Sequence, residues 1–165
     1  MVMAVAQVEP LIGQVERNVA TIETQLADAV RAGARLCAFL DCAVTRYIFA
    51  PARPTGPCKV RTTAAHMPAG RALENRVFVL TSNRIGCERN AEFSGWSQTV
   101  GVTGERLVEA DHPGEALLAA EVDPAEARIR DMIPEPGEHE MPLYGHRRPE
   151  YHRAPVDEPA VVNQR

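Results

Sequence analysis

Two stretches of this 165-residue chain predict an α/β fold of strands layered with helices. The first is the opening, where an apolar run, a helical stripe and a second apolar run read β-α-β. The second is Arg71–Gly86, RALENRVFVLTSNRIG, in which a helix end, Arg71–Arg76, runs straight into Val77–Ser82. That short run is rich in β-branched and aromatic side chains and is closed by a polar turn and Gly86, so it reads as a strand covered on both faces. A helix delivered directly into a buried strand is how layered α/β domains are built. Glu74 and Arg76 at the junction read as a buried charge network, because lone charges there are costly.

In order along the chain, MVMAVAQ is a strand at residues 2–7, stopped by Glu9-Pro10. Val15, Val19, Ile22, Leu26 and Val30 recur at steps of three or four and place one apolar stripe on a helix over 14–32. Gly33 stands where a helix C-terminus favours a left-handed residue. Residues 35–40 form the second strand, parallel to the first. Residues 50–61 are rich in proline, have no period and read as a linker. A helix over 65–75 leads into the strand at 77–82. A hairpin follows from strands at 97–100 and 106–110, with Gly104 tolerating positive φ in its turn. A strand at 116–122 comes next, and Asp123-Pro124 caps a short helix through Arg130. From Met132 onward proline and charge dominate without periodicity, and residues 152–165 read as a disordered tail.

Composition narrows the function classes. A net charge of −4 argues against a nucleic-acid partner, which needs a concentrated basic face. No apolar run approaches the roughly 20 residues that span a bilayer, and the N-terminus has no basic-then-apolar leader. Four cysteines, Cys37, Cys42, Cys58 and Cys87, fit neither a zinc pattern nor a disulfide framework. His139, His146 and His152 lie in the irregular tail without paired spacing, so no metal site is read there. The expectation is a cytoplasmic, reduced protein with no membrane partner, no metal and no cofactor.

The wording of these stretches resembles the nitrilase superfamily, the carbon–nitrogen hydrolases. Glu74-Asn75-Arg76 followed by an apolar strand and Asn83-Arg84-Ile85-Gly86 is similar to a segment near the end of that family. The Ala-Val-Ala-Gln strand, the Glu-Pro-x-Ile-Gly turn and the helix carrying Glu16-Arg17-Asn18 are similar to its beginning. Phe93–Val100 resembles its Phe-x-Gly-x-Ser strand, and Arg147-Arg148-Pro149-Glu150 its C-terminal signature, part of an arm that often runs to a partner subunit. The resemblance covers residues 1–49 and roughly 62–151. It implies a nitrilase-like α-β-β-α sandwich over residues 1–151 that is incomplete, with its central strands missing. Family members carry a long central portion where this chain passes from Phe49 to Thr62 in about a dozen residues.

The resemblance also implies a chemistry. A cysteine thiolate attacks the amide or nitrile carbon, a glutamate moves protons, and a lysine stabilises the developing anion. The family's Phe-Pro-Glu, whose glutamate is the base, corresponds to Phe39-Leu40-Asp41, so the carboxylate is one methylene shorter and the proline is gone. Lys59, in Cys58-Lys59-Val60-Arg61, faintly resembles the run around the family's lysine. Cys58 and Cys42 lack the strand-to-helix turn that a nucleophile of this family occupies, and read as ordinary thiols beside a linker. Cys37 reads as a strand residue of the core and Cys87 as a turn residue.

Two function classes follow. One is a carbon–nitrogen hydrolase by descent, acting on a small amide, nitrile or N-carbamoyl substrate and impaired by the missing cysteine and lysine regions. The other is a non-catalytic protein that uses its sheet and C-terminal arm for assembly. A thiol-dependent enzyme pairing Cys87 with His66 rests on residue identity alone. Missing strands would leave a sheet edge and apolar faces uncovered, so self-association is expected.

Overall fold

The computed structural model describes residues 1–45, 61–88, 91–135 and 137–142. The chain divides into two compact units, Met1–Arg128 and Ile129–Arg165. In the first, the elements run β1 (Val2–Gln7), α1 (Val15–Arg31), β2 (Ala34–Ala38), α2 (Arg61–Asn75), β3 (Val79–Thr81), β4 (Ile85–Glu88), β5 (Ala91–Ser94), β6 (Gln98–Val100), β7 (Arg106–Glu109) and β8 (Ala116–Glu121). A 3₁₀ turn at Glu126–Arg128 ends it, shorter than the helix expected through Arg130.

β1 and β2 are parallel, with Val5 opposite Ala38, as the β-α-β reading requires. β8 joins the other side of β1, antiparallel, with Gln7 opposite Ala116, so this sheet runs β2-β1-β8. A second sheet runs β3-β6-β7, antiparallel throughout. α1 packs on β2 and β8, α2 packs on β3 and β6, and β8 meets β6 and β7. The layers therefore stack α-β-β-α, the sandwich the sequence implied.

Local chemistry explains the element ends. α1 closes at Gly33, whose φ of +76 and N–H bond to Val30 O form a left-handed cap. α2 closes in the same manner without a glycine. Arg76 takes φ +52, and the Val77 N–H reaches back to Ala72 O. In the β6–β7 turn the Gly101 N–H donates to Glu105 O at 2.8 Å. There Gly104 sits at φ +85, and a Cβ on it would stand 3.2 Å from Ala69 O, so the turn abuts α2.

Several expectations are corrected. Val77–Ser82 is not a strand covered on both faces. The α2 cap consumes Val77 and Phe78, and β3 is a three-residue, half-buried strand at the edge of its sheet. Glu74 is not in a buried network. It pairs at 3.6 Å with Arg71 on the exposed side of α2, while Arg76 donates to Val102 O at 3.4 Å. Asn83–Gly86 is not merely a turn, because Ile85–Glu88 pairs with Ala91–Ser94 as a hairpin. Gly86 holds a positive φ of +89 inside that strand, a conformation that favours glycine, and the Glu9 side chain packs where a Cβ would stand. Ser97, read as the start of a strand, precedes β6; its carbonyl still accepts the Ala110 N–H at 2.9 Å, while its N–H donates to Gln7 and its hydroxyl bonds Asn83.

The second unit contains a hairpin that proline and charge concealed: β9 (Asp131–Glu135) pairs antiparallel with β10 (His139–Pro142). Its turn is set by Gly137 at φ +81 and by the Glu138 N–H donating to Glu135 O. The linker at 50–61, apart from Arg61, and the Arg-Arg-Pro-Glu signature lie outside the described residues.

The core is small-sided. Ala4, Val5, Ala6, Val100 and Ala120 are buried, yet the largest completely buried side chains are Gln7 and Gln98. Gln7 carries the junction of three segments. Its amide donates to His112 O at 3.0 Å and Gly114 O at 2.8 Å, and its carbonyl oxygen accepts the Ser97 N–H at 3.0 Å. Replacing Gln7 by Ala leaves the buried Ser97 N–H and the partly buried carbonyls of His112 and Gly114 without this partner. The expected loss is about 2–4 kcal/mol of unfolding free energy, read from the urea midpoint. A change within about 0.5 kcal/mol, the range of an ordinary surface substitution, would show that the junction holds without the amide.

Candidate active site

Three strand ends meet at one edge of the sandwich. β1 and β2 are parallel and finish on the same side. Ser82, just past β3, donates its hydroxyl to Ala6 O at 2.6 Å and so brings the end of β3 to the end of β1. In α/β sheets ligands gather at this carboxyl edge. The segments meeting there are tied by backbone bonds, the Ile85 N–H to Val8 O and the Gly95 N–H to Arg84 O, and by side chains. The Asn83 N–H donates to Ser97 Oγ at 2.9 Å, Ser97 Oγ donates back to Asn83 O at 3.2 Å, and Asn83 Nδ2 reaches Trp96 O. Gly95 and Trp96 both take positive φ to make this bend, and a Cβ on Gly95 would collide with the Gln7 amide.

Asp41 lies three residues beyond the last paired residue of β2, exposed in the turn 41–45, of which Ala43 is buried. Buried Asn18 fixes that turn. Its Oδ1 accepts the Leu11 N–H, and its Nδ2 donates to Leu11 O and to Val44 O, all at 2.8 Å. One amide thus ties the first turn of α1 to both loops that flank the strand ends. Asn18 and Gln7 were missed by the sequence reading as positioning residues. The available signals were an amide beside the apolar stripe of a helix and an amide closing an apolar strand.

Two thiols stand on β2 and its turn. Cys37 is half-buried on the strand, and burial pushes its thiol above the ordinary value, away from the reactive thiolate. Cys42, next to Asp41, is exposed and holds φ +52, uncommon for a residue with a side chain. Cys87 is exposed on β4, opposite Glu92. His66 has its Nδ1 3.2 Å from the Arg106 guanidinium, which also donates to Ala65 O. Lys59 and Cys58 lie outside the described residues. Lys59 is the only lysine in the sequence.

A cavity of about 270 Å³ is lined by Arg17, Ala20, Thr21, Thr24 and Gln25 of α1 and by Glu115, just before β8. It takes in neither Asp41 nor any cysteine. In the second unit, Glu135, Glu138 and His139 bring possible metal-ligand atoms within 4.8 Å of one another, all exposed. His139 Nδ1 lies 3.4 Å from Glu135 Oε2.

The arrangement at the strand ends offers a carboxylate on a turn held by buried amides, with a thiol beside it in sequence. A carboxylate there can accept a proton from a bound nucleophile. The sequence profile described as carbon-nitrogen hydrolase matches residues 46–130. The chain belongs to the carbon–nitrogen hydrolase family. Solved structures agree with this in fold. A cysteine-to-alanine variant of the Nesterenkonia AN1 amidase, from the nitrilase superfamily, superposes with a TM-score of 0.70 at 14% identity, covering 93% of this chain and 96% of that one. A double variant of the same amidase in complex with acrylamide gives 0.69 at 14% identity over the same shares. Another amidase structure from Nesterenkonia sp. gives 0.63 at 13%, over 93% and 95%. Comparison of the sequence with curated proteins gives no match. No helix among the described residues is long and apolar enough to cross a membrane.

The environments of the thiols predict an order of reactivity in this carbon–nitrogen hydrolase family member. With a maleimide at pH 7, Cys42 and Cys87 are labelled before Cys37, as read by peptide mass mapping. Because its thiol is shifted upward, Cys37 gains reactivity only at higher pH than a free cysteine. Labelling of Cys37 first would mean that β2 opens in solution.

Proposed function

We propose that this chain is a carbon–nitrogen hydrolase by descent whose hydrolysis of amides, nitriles or N-carbamoyl compounds is impaired. The observation that supports this most is the connection between the Asp41 turn and α2. The turn ends at Thr45 and α2 begins at Arg61. In the family this interval holds a lysine-bearing strand and the cysteine elbow. Two strands of about five residues joined by a crossover of a dozen or more need more chain than residues 46–60 provide. The reaction needs a thiolate, an oxyanion donor and a base, each at hydrogen-bond reach of the reacting atoms, about 3 Å. Asp41 can serve only as the base. The upshifted Cys37 is a poor nucleophile, while Cys42 and Cys87 stand on a turn and a hairpin rather than in an elbow.

A second reading, an assembly protein on the same scaffold, is favoured by apolar residues that α1 leaves exposed, Val15, Leu26 and Val30.

The test is turnover by purified protein on a panel of short aliphatic amides, nitriles and N-carbamoyl amino acids. None is expected above the uncatalysed rate. Loss of a family nucleophile typically removes the great majority of the rate, about 10⁶-fold in a triad enzyme. Activity that survives Cys42→Ala but disappears in Cys58→Ala or Lys59→Ala would overturn this reading and make residues 58–59 the catalytic pair. Activity that disappears in Cys42→Ala and Asp41→Asn would overturn it in favour of the exposed turn.

A further inference from the structure

Opposite charges line the cavity beside α1 and do not pair. At about 100° per residue, Arg17, Thr21, Thr24 and Gln25 share one face of the helix, within an arc of about 100°. They run about 12 Å along its axis. α1 packs against β8, and Glu115, just before that strand, completes the wall. Arg17 and Glu115 thus border one space of about 270 Å³. Among the described residues neither is ion-paired, with the other or elsewhere. Arg17 reaches only the Gln14 side chain, at 3.5 Å, and Glu115 Oε1 accepts the Glu9 N–H at 3.1 Å. The neutral groups on the wall are short of donors. Thr21 and Thr24 donate their hydroxyl protons to Arg17 O and Ala20 O, at 3.1 and 2.9 Å, so only lone pairs remain to them. Gln25 lies at the edge of the face nearest the buried Asn18 and Ala29, and its Oε1 is buried without a hydrogen-bond partner. A buried carbonyl oxygen left unpaired is costly, so this one favours whatever brings it an N–H.

We propose that this cavity binds a small aminocarboxylate, a molecule with an ammonium at one end and a carboxylate at the other. The carboxylate sits on Arg17, whose forked guanidinium can donate to it twice. The ammonium donates to Glu115 and to Gln25 Oε1, and so supplies the proton that this oxygen lacks. A zwitterion answers both charged walls at once. An anion alone would meet the Glu115 carboxylate uncompensated, and a cation alone the Arg17 guanidinium. The volume lies just below the usual range for ligand pockets, which suits a molecule of amino-acid size. The site stands apart from the hydrolytic reading, because a free aminocarboxylate has no amide, nitrile or carbamoyl bond to cleave.

The experiment is calorimetric titration of the full chain with glycine, β-alanine and γ-aminobutyrate, a series that varies the spacing of the two charges. Propionate and propylamine are the single-charge controls. One-to-one binding of at least one member is expected, of about millimolar strength because so few atoms make contact. It should be about tenfold tighter than either control. Arg17→Gln and Glu115→Gln should each weaken it by about tenfold or more. Arg17 is exposed on its helix, and Glu115→Gln keeps an oxygen for the Glu9 N–H, so both variants fold, as circular dichroism checks. Arg31→Gln, in the last turn of the same helix and outside the cavity, should leave binding unchanged. That pattern supports the proposal. Absence of binding by every member at tens of millimolar overturns it, and so does a single-charge control that binds as tightly as the best member. Binding that either cavity variant leaves unchanged, or that Arg31→Gln weakens equally, also overturns it.

Discussion

The carboxamide of Gln7 stands completely buried where the last residue of β1 meets the bend before β6 and the loop before β8. Much of the first unit is arranged around it. A carboxamide both donates twice and accepts, so one side chain meets the Ser97 N–H and two loop carbonyls. A carboxylate would repel those carbonyls, and an aliphatic side chain would offer none of the three backbone groups a partner. The neighbours conform to it. Gly95 has no Cβ because the amide fills that space, and Gly95 and Trp96 take left-handed φ so that Ser97 can present its N–H. Ser82 and Ser97 then bring the edge strand β3 to the end of β1. The two sheets are thus joined at their strand ends by polar bonds, while alanine and valine side chains pack between them.

Asn18 repeats the device on the other side of the same edge. It binds the loop before α1 and the turn after β2, and so it holds the turn that bears Asp41. In this chain a frame of buried amides and strand ends places a carboxylate, one of the groups that the proposed hydrolysis needs, on a fixed turn. The reaction also needs a thiol and a lysine brought to the same point from other strands. The short connection between Thr45 and Arg61 bears on that supply. Frame and chemistry are separable here, because the frame depends on side chains that sit outside the connection.

Much of the fold was legible in the sequence. The period-3.6 stripe fixed α1 to within a residue at each end, since Gly33 supplies the left-handed cap. The apolar runs fixed β1, β2 and β8, and the glycine turn fixed the β6–β7 hairpin. The β4–β5 and β9–β10 hairpins were obscured because Gly86, Gly137 and nearby prolines are ordinary loop signals, and pairing between strands overrode them. Asp41 could be named from the residues around it, but its exposure on a turn could not.

The sequence by itself determined the α/β class, the β-α-β opening and the family, because periodicity and residue order are local properties. Tertiary structure alone decided which strands are neighbours. β8 lies beside β1 although more than a hundred residues separate them, and β3 lies at an edge although its composition reads as buried. It also decided which part of the apolar stripe on α1 is covered. A helical stripe states which side chains avoid water, not how wide a sheet lies beneath it. Among the described residues the sheet ends at β2, and Val30 is 72% exposed.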